Sequence, residues 1–268
     1  MSDESFSEQS RADFQRALFK SFMNRVWDSL SGQRTTLLSY DDIKEKLHIG
    51  GPIYRGVQTV RVDQIAGSLN RYHEFDRVFL PASDKLATRW QNVNRAFYQD
   101  VSLPPVVLYK VGQVYFVVDG HHRVSVAREQ GQIYIEAEVR ECSTRVDITA
   151  DIKPEDLEIL EDKVHFLERT SLLSLRPDAD IRLTIPDGFE RMLEHIAVHR
   201  YFMGLDLKRD ISEQEAIADW YDHVYMPVVD VIRETGILKE FPQKTEGDLY
   251  LWVLDHQHYL VMEEGQTL

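Results

Sequence analysis

Five consecutive residues, Asp-Gly-His-His-Arg at 119–123, combine the side chains of this chain that are best suited to hold or move a charged group. An apolar, β-branched run at 114–118 precedes them and is typical of a buried strand. We expect the histidines and the arginine in a turn, then a short helix from about Val124 to Gln130 that Gly131 ends. Such a junction presents unpaired N–H groups and the positive end of a helix dipole. It predicts a phosphate or anion site; the alternative is a helix-capping turn with exposed histidines.

The first half of the chain must supply the scaffold for this motif. Period-two patterns predict strands at 57–62, 106–109, 114–118 and 133–139. A turn at Val111-Gly112-Gln113 joins two of them in a hairpin. Helical spacing and capping residues predict helices at 10–30, about 42–47, 63–69 and 84–98. In the helix at 10–30 one apolar face is expected to dock on the core through Phe14, Leu18, Phe22, Val26 and Leu30.

The second half changes character after residue 150. Its patterns predict helices at 154–170, 187–203, 212–225, 228–235 and 246–263, with one short strand at 181–185. The predicted fold class is α+β, a small mixed sheet with an N-terminal helix and a mostly α-helical C-terminal half. We expect three parts: an N-terminal helical segment at 1–54, a mixed α/β domain at 55–150 and an acidic α-helical domain at 151–268.

Charge is distributed unevenly along the chain. Residues 1–150 contain 19 basic and 19 acidic residues, whereas 151–268 contain 12 basic and 26 acidic residues, and the net charge is −14. This excess disfavours broad contact with a DNA backbone, which requires clustered Lys and Arg. It favours a protein partner or a second copy of the chain for the acidic helical half.

Other patterns bound the function further. No apolar run approaches 18 residues, so no membrane span is expected. The first residues are polar and acidic, unlike a secretory signal, and a single cysteine, Cys142, excludes an internal disulfide framework. We therefore expect a cytoplasmic protein.

His195 and His199 share one helix face, but the Glu of zinc-protease motifs is missing, so hydrogen bonding is favoured and no metal site is predicted.

The motif and its surroundings resemble the ParB/sulfiredoxin superfamily. Asp-Gly-His-His-Arg after an apolar strand, Val-Ser-Val-Ala-Arg and a helix-ending Gly carry the likeness. Upstream, Val-Asp-Gln-Ile at 62–65, a loop with Arg71 and Leu-Pro-Pro-Val-Val-Leu-Tyr-Lys-Val-Gly at 103–112 follow the order seen in ParB N-terminal domains, so the resemblance spans about 55–142. The superfamily includes CTP-hydrolysing ParB clamps, ATP-dependent sulfiredoxins and free-serine kinases with a similar motif. The likeness implies ATP or CTP, with Mg²⁺, bound through its phosphates.

The resemblance also implies roles for the motif residues. Gly120 would let the backbone approach phosphate, and Arg123 would bind the phosphate through bidentate hydrogen bonds. His121 and His122 would donate to phosphate oxygens or relay a proton as catalytic groups. Asp119 would either cap the helix or orient a histidine.

Two further residues and several departures complete the comparison. Arg71 lies where related domains carry a phosphate- or substrate-facing arginine, and Glu74 or Asp76 would supply the carboxylate near a substrate hydroxyl, with Glu74 taken as a catalytic residue. His121 replaces the reactive cysteine of sulfiredoxins, which excludes repair of cysteine sulfinic acid. There is no second Asn-based motif and no basic helix-turn-helix, which disfavours a DNA clamp. The sequence therefore predicts nucleotide binding with hydrolysis or phosphoryl transfer, or a non-catalytic regulator acting by protein or DNA binding.

Overall fold

A computed structural model describes residues 3–32, 35–152 and 154–265. The chain divides into two compact units between Pro154 and Glu155. The first unit contains a six-stranded mixed sheet, and the second is helical where it is described. The α+β fold class predicted from the sequence is confirmed. No described helix is both long enough and apolar enough to cross a membrane.

The first unit follows a mixed order of helices and strands. In chain order these are α1 (Asp3–Leu30), β1 (Leu38–Ser39), α2 (Tyr40–Lys46), β2 (Pro52–Arg61), β3 (Ile65–Ser68), α3 (Ala87–Tyr98), β4 (Val106–Val111), β5 (Val114–Asp119), α4 (His121–Glu129) and β6 (Tyr134–Cys142). The strand order is β1-β3-β5-β4-β6-β2. β1–β3, β3–β5 and β4–β6 are parallel pairs, and β4–β5 and β2–β6 are antiparallel pairs. The predicted hairpin is confirmed, because Val111 pairs with Val114 across the turn.

β3 corrects the predicted helix at 63–69. Asp63 lies in a single 3₁₀ turn, Val62–Gln64, and the chain then runs as a strand between β1 and β5. All four β3 residues are buried, and a Cβ on Gly67 would overlap the Phe116 ring. Small side chains thus allow close approach to β5, and long-range strand pairing overrides the local helix signal.

α1 docks through a different face from the one that its apolar spacing predicts. Phe14 is fully buried, but Phe22, Val26 and Leu30 are 53%, 42% and 79% exposed. The buried face instead carries polar residues, including Asp13, which accepts hydrogen bonds from Asn94 at 3.0 Å and Tyr98 at 2.6 Å. The expectation that the whole apolar face packs on the core is therefore wrong, because buried hydrogen bonds anchor the helix.

The second unit contains α5 (Pro154–Thr170), α6 (Leu172–Leu175), α7 (Gly188–Leu207), α8 (Glu213–Trp220), a π-helical turn (Tyr221–Tyr225), α9 (Met226–Thr235) and α10 (Glu246–Gly265). The predicted caps are confirmed: Ser212 Oγ accepts from the Glu215 N–H, and Thr245 Oγ1 accepts from the Asp248 N–H. The predicted strand at 181–185 is wrong, since these residues form no strand ladder. α7 also continues past Gly204, where the sequence predicted its end.

Candidate functional site

The junction between β5 and α4 is shorter than the sequence predicts. Gly120 alone makes the turn, in a left-handed conformation with φ +98°, and α4 begins at His121. His121, His122 and Arg123 are consequently the first three helical residues, which corrects their expected place in a turn before the helix. A single left-handed glycine is sufficient to redirect the chain, because glycine has no Cβ to clash with its own backbone.

Gly120 is also required by its neighbours. A Cβ at this position would lie 2.6 Å from Cγ1 of Val106 on β4. Real Cβ atoms do not approach so closely, and the positive φ adds strain for any other L-residue. The structure thus explains this glycine by packing against β4, independently of any ligand.

No side chain caps the N-terminus of α4. Asp119, which was expected either to cap the helix or to orient a histidine, does not cap it. The Asp119 side chain is 68% exposed, and its carboxylate accepts a hydrogen bond from the Arg123 guanidinium at 2.7 Å. The first N–H groups of α4 therefore receive no hydrogen bond from an N-cap side chain, and the positive end of the helix dipole is not capped.

His121 is buried between aromatic rings and a strand end. It is 6% exposed, and its Nε2 lies 2.9 Å from the Oγ of Ser68, the last residue of β3. The Phe75 ring stacks on it at 6.2 Å between centroids. Ser68 Oγ also accepts the backbone N–H of Arg71 at 3.0 Å, so the hydroxyl proton is available for His121 Nε2.

His122 is buried to a similar extent but has less hydrogen bonding. It is 7% exposed, its ring meets Phe75 edge to face at 5.9 Å, and its Nδ1 has no hydrogen-bond partner within the described chain. A buried polar atom without a partner carries a desolvation cost of about 1–3 kcal/mol. This nitrogen therefore makes His122 a costly residue to bury at this position.

Two arginines set the electrostatics around the imidazoles. Burial, reinforced by the Arg71 guanidinium, lowers the pKa of His121 to about 4. Burial, reinforced by Arg89 and then Arg71, lowers the pKa of His122 to about 4 as well. Both rings are therefore neutral near pH 7, and the positive charge of the site comes from the arginines and the helix dipole.

Arg123 does not share this environment. Its guanidinium donates to the carbonyl oxygens of Pro104 and Pro105, the latter at 2.9 Å, and to Asp119. It lines a cavity of about 440 Å³ with the two prolines, and neither histidine lines that cavity. The structure thus brings His121, His122 and Arg71 together and directs Arg123 to the β4 side of the junction.

Glu74 is held by the loop that carries Arg71. Its carboxylate accepts a hydrogen bond from the Arg71 guanidinium at 3.3 Å, and the side chain is 42% exposed. Asp76 is fully buried, and burial raises its pKa, even though the Asn24 amide and the Leu80 and Val78 N–H groups stabilise its charge. Asp76 therefore serves the fold of this loop, whereas Glu74 remains accessible.

Sequence reasoning missed two residues of this site. Ser68 went unnoticed because its segment was predicted as a helix, whereas it ends a strand parallel to β5. Arg89 lies on the exposed side of α3, and a lone exposed arginine on a helix gives no functional signal. Recognising β3 as a strand would have pointed to Ser68, because ligands commonly bind at the carboxyl ends of neighbouring parallel strands.

The other candidate histidines have separate partners. His195 Nδ1 lies 3.2 Å from the Tyr250 hydroxyl, and His199 Nε2 lies 2.7 Å from Asp219 Oδ2. Throughout the described ranges, no group of three or more His, Cys, Asp or Glu side chains is placed to hold a metal ion.

Comparison with known proteins finds only weak structural likeness. No family model and no curated protein matches the chain. Among solved structures, the C-terminally truncated chromosome-partitioning protein ParB from Caulobacter crescentus, complexed with CTP-γ-S, matches at 12% identity and a TM-score of 0.25, over 74% of this chain and 93% of that one. A Pnob8-like ParB-N domain matches at 11% identity and a TM-score of 0.23, over 80% and 98%. Values this low do not establish membership of that family.

Proposed function

We propose that the first unit binds the phosphate groups of a nucleoside triphosphate, ATP or CTP, at the N-terminus of α4. The observation that supports this most strongly is the uncapped start of α4 beside two arginines and two buried neutral imidazoles. Helix N-termini bind phosphate because their free N–H groups and dipole both favour negative charge. In this proposal Arg71 and Arg89 supply the counter-charges.

The imidazoles fit phosphate better than they fit a cation. Each neutral imidazole carries one N–H, which is a donor of the kind that phosphate oxygens accept. Ser68 holds His121 through Nε2 and thereby fixes its ring orientation. The two arginines close to these rings would repel a positively charged ligand.

Mg²⁺ fits this site only as a companion of the nucleotide. Protein sites for Mg²⁺ commonly combine one or two carboxylates with substrate phosphates. Glu74 and Asp119 are the exposed carboxylates of the motif region, and each already accepts a hydrogen bond from an arginine. Either could add one oxygen to a metal ion that arrives with the triphosphate.

Calorimetry with ATP and with CTP in the presence of Mg²⁺ tests the proposal. Replacing a charge-assisted phosphate contact typically costs about 1.5–3 kcal/mol, so Arg89→Gln should weaken binding by about 10- to 100-fold. Arg95→Gln is the matched control, since Arg95 lies on the same helix and its guanidinium donates to Asn92 Oδ1. Absence of binding, or equal effects of Arg89→Gln and Arg95→Gln, would rule out this site.

Arg123→Ala distinguishes the two sides of the junction. Motif-based reasoning makes Arg123 a direct phosphate ligand, which predicts a loss as large as that of Arg89→Gln. In the structure its donors are engaged by Pro104, Pro105 and Asp119. We therefore expect a smaller loss for Arg123→Ala than for Arg89→Gln.

Phosphate release separates an enzyme from a non-catalytic regulator. Phosphoryl transfer depends mainly on positioning and charge neutralisation, which the arginines and the helix dipole offer. His121 or Glu74 would then accept the proton of the attacking group. Suppose that nucleotide binds, but the wild type releases phosphate no faster than His121→Gln or Glu74→Gln does. A non-catalytic regulator is then the better description. Its nucleotide site would then control protein or DNA binding in the cytoplasm.

A further inference from the structure

The helical unit contains a large open cavity that the nucleotide proposal does not use. It has a volume of about 1000 Å³ and lies among the end of α5, α7, α8 and the segment at 208–211. A cavity of this size can enclose most of a drug-sized ligand.

The walls of this cavity are apolar where they are deepest. Ile196, Ile211, Ala216 and Ile217 line it and are each less than 10% exposed. Ala197, at the mouth, is exposed and has a small side chain, so it leaves the opening wide. Such walls favour the apolar portion of a ligand, because each buried CH₂ contributes about 0.8 kcal/mol.

The rim of the cavity is basic in a strongly acidic unit. Residues 155–268 contain 25 acidic and 11 basic residues, yet the cavity is lined by four cations and two carboxylates. These are Arg169, Arg200, Lys208, Arg209, Asp210 and Glu213. A local excess of positive charge beside low-dielectric walls focuses the field and attracts a negatively charged ligand.

The four cations differ in the partners that the described part of the chain gives to their side chains. Arg200 donates to the Ile211 carbonyl at 2.7 Å, and Arg209 binds the Glu215 carboxylate through both of its terminal nitrogens. By contrast, the side chains of Arg169 and Lys208 have no hydrogen-bond or ion-pair partner among the residues that the structure describes. They are therefore the cations available to an anionic group.

We propose that this cavity binds an organic anion with an apolar body, of the monocarboxylate class. The carboxylate would lie against Arg169 and Lys208, and the hydrocarbon portion would lie on the isoleucine-rich walls. This inference concerns the second unit and does not depend on nucleotide binding by the first.

Titration calorimetry of the full chain with sodium decanoate, below its micelle concentration, tests the site. The neutral analogue decanol has the hydrocarbon chain without the carboxylate, and the short anion acetate has the carboxylate without the long chain. We expect decanoate to bind at one site and each analogue to bind at least tenfold more weakly. Equal binding of decanol would overturn the anionic half of the proposal, and no binding of decanoate would overturn all of it.

Variants locate the site. Arg169→Gln with Lys208→Gln should weaken decanoate binding at least tenfold. The matched control, Lys239→Gln with Lys244→Gln, removes the same charge from exposed positions that do not line the cavity. Equal weakening by both pairs would show a general charge effect and overturn the proposal.

A third variant removes the cavity without removing charge. Ala197→Trp places a large ring at the mouth on an exposed helical position, so folding should be retained, as checked by circular dichroism and thermal unfolding. Decanoate binding should be lost. Unchanged binding in a folded Ala197→Trp protein would place the ligand elsewhere.

Discussion

Two neutral histidines define the candidate site at the level of single residues. Buried imidazoles beside two arginines stay unprotonated until the pH approaches 4, so they act as hydrogen-bonding groups rather than as cations. A phosphate bound beside them would therefore be neutralised by Arg71, Arg89 and the α4 dipole. Because the buried imidazoles resist protonation, the stability of the fold should also be sensitive to acid.

The first prediction concerns that sensitivity. In the unfolded chain a histidine binds a proton near pH 6.5, whereas His121 and His122 in the folded chain resist protonation down to about 4. The free energy of unfolding should thus be fully retained above pH 6.5. It should fall as the pH drops from 6.5 to 4, by up to about 1.4 kcal/mol per pH unit for each histidine.

Urea unfolding at several values between pH 7 and pH 4 measures this slope. His121→Gln with His122→Gln should flatten the slope relative to the wild type, whatever the absolute stability of the variant. Identical slopes for the two proteins would show that these imidazoles are not the groups that resist protonation.

Ser68 provides the second prediction. Its buried hydroxyl pairs with His121 and accepts the Arg71 N–H, so Ser68→Ala leaves two polar groups without their partner. We expect a loss of about 1–3 kcal/mol in the free energy of unfolding. Ser21 is a matched control, because its hydroxyl is equally buried but has no hydrogen-bond partner within the described chain. A Ser21→Ala loss as large as that of Ser68→Ala would contradict the assigned role.

The sequence identifies the motif residues but not their neighbours. His121 and His122 were predicted from residue type and spacing, Arg71 was implied by the resemblance to ParB-like domains, and the structure brings the three together. Ser68 and Arg89 reach the site through β3 and α3, whose positions depend on contacts distant in sequence. The direction of Arg123 could not be predicted either, because it is set by the Pro104 and Pro105 carbonyl oxygens.

At the level of elements, local sequence patterns were sufficient to predict those elements that pair with segments adjacent in sequence. The β4–β5 hairpin follows from apolar runs and a glycine turn, and it was predicted. A helix after β5 was predicted too, but it begins at His121 rather than at about Val124. β3 required knowledge of its parallel pairing with β5, which no local pattern contains. The same limit applies to α1, whose apolar spacing pointed to the wrong face because Asp13 and its partners anchor the helix.

The β5–α4 junction gives a prediction at this scale. Gly120 and Gly131 lie at the two ends of α4 with φ of +98° and +68°, but only Gly120 has neighbours that a Cβ would meet. Gly131→Ala should cost only the backbone strain, about 1–3 kcal/mol, and Gly120→Ala should cost clearly more, because Val106 must also move. Chemical unfolding of the two variants compares them. Equal losses would show that the contact with Val106 is unimportant.

At the level of the whole molecule, one of the two units carries all of the net charge. Residues 1–154 contain as many basic as acidic residues, so the entire net charge of −14 belongs to residues 155–268. Mutual repulsion of like charges destabilises a compact state, and dissolved salt screens it. The second unit should therefore gain stability with ionic strength, and the first should gain little.

Tryptophan fluorescence can follow the two units separately, because each contains two of the four tryptophans. Trp27→Phe with Trp90→Phe leaves Trp220 and Trp252 to report on the second unit, and the reciprocal pair of substitutions reports on the first. Between 10 mM and 500 mM NaCl, we expect the midpoint of thermal unfolding to rise in the second unit by about 4 °C for each kcal/mol of relieved repulsion. The first unit should show a smaller rise. Equal shifts of the two midpoints would mean that salt acts on the chain as a whole, through a general effect on burial rather than through the charge of the helical unit.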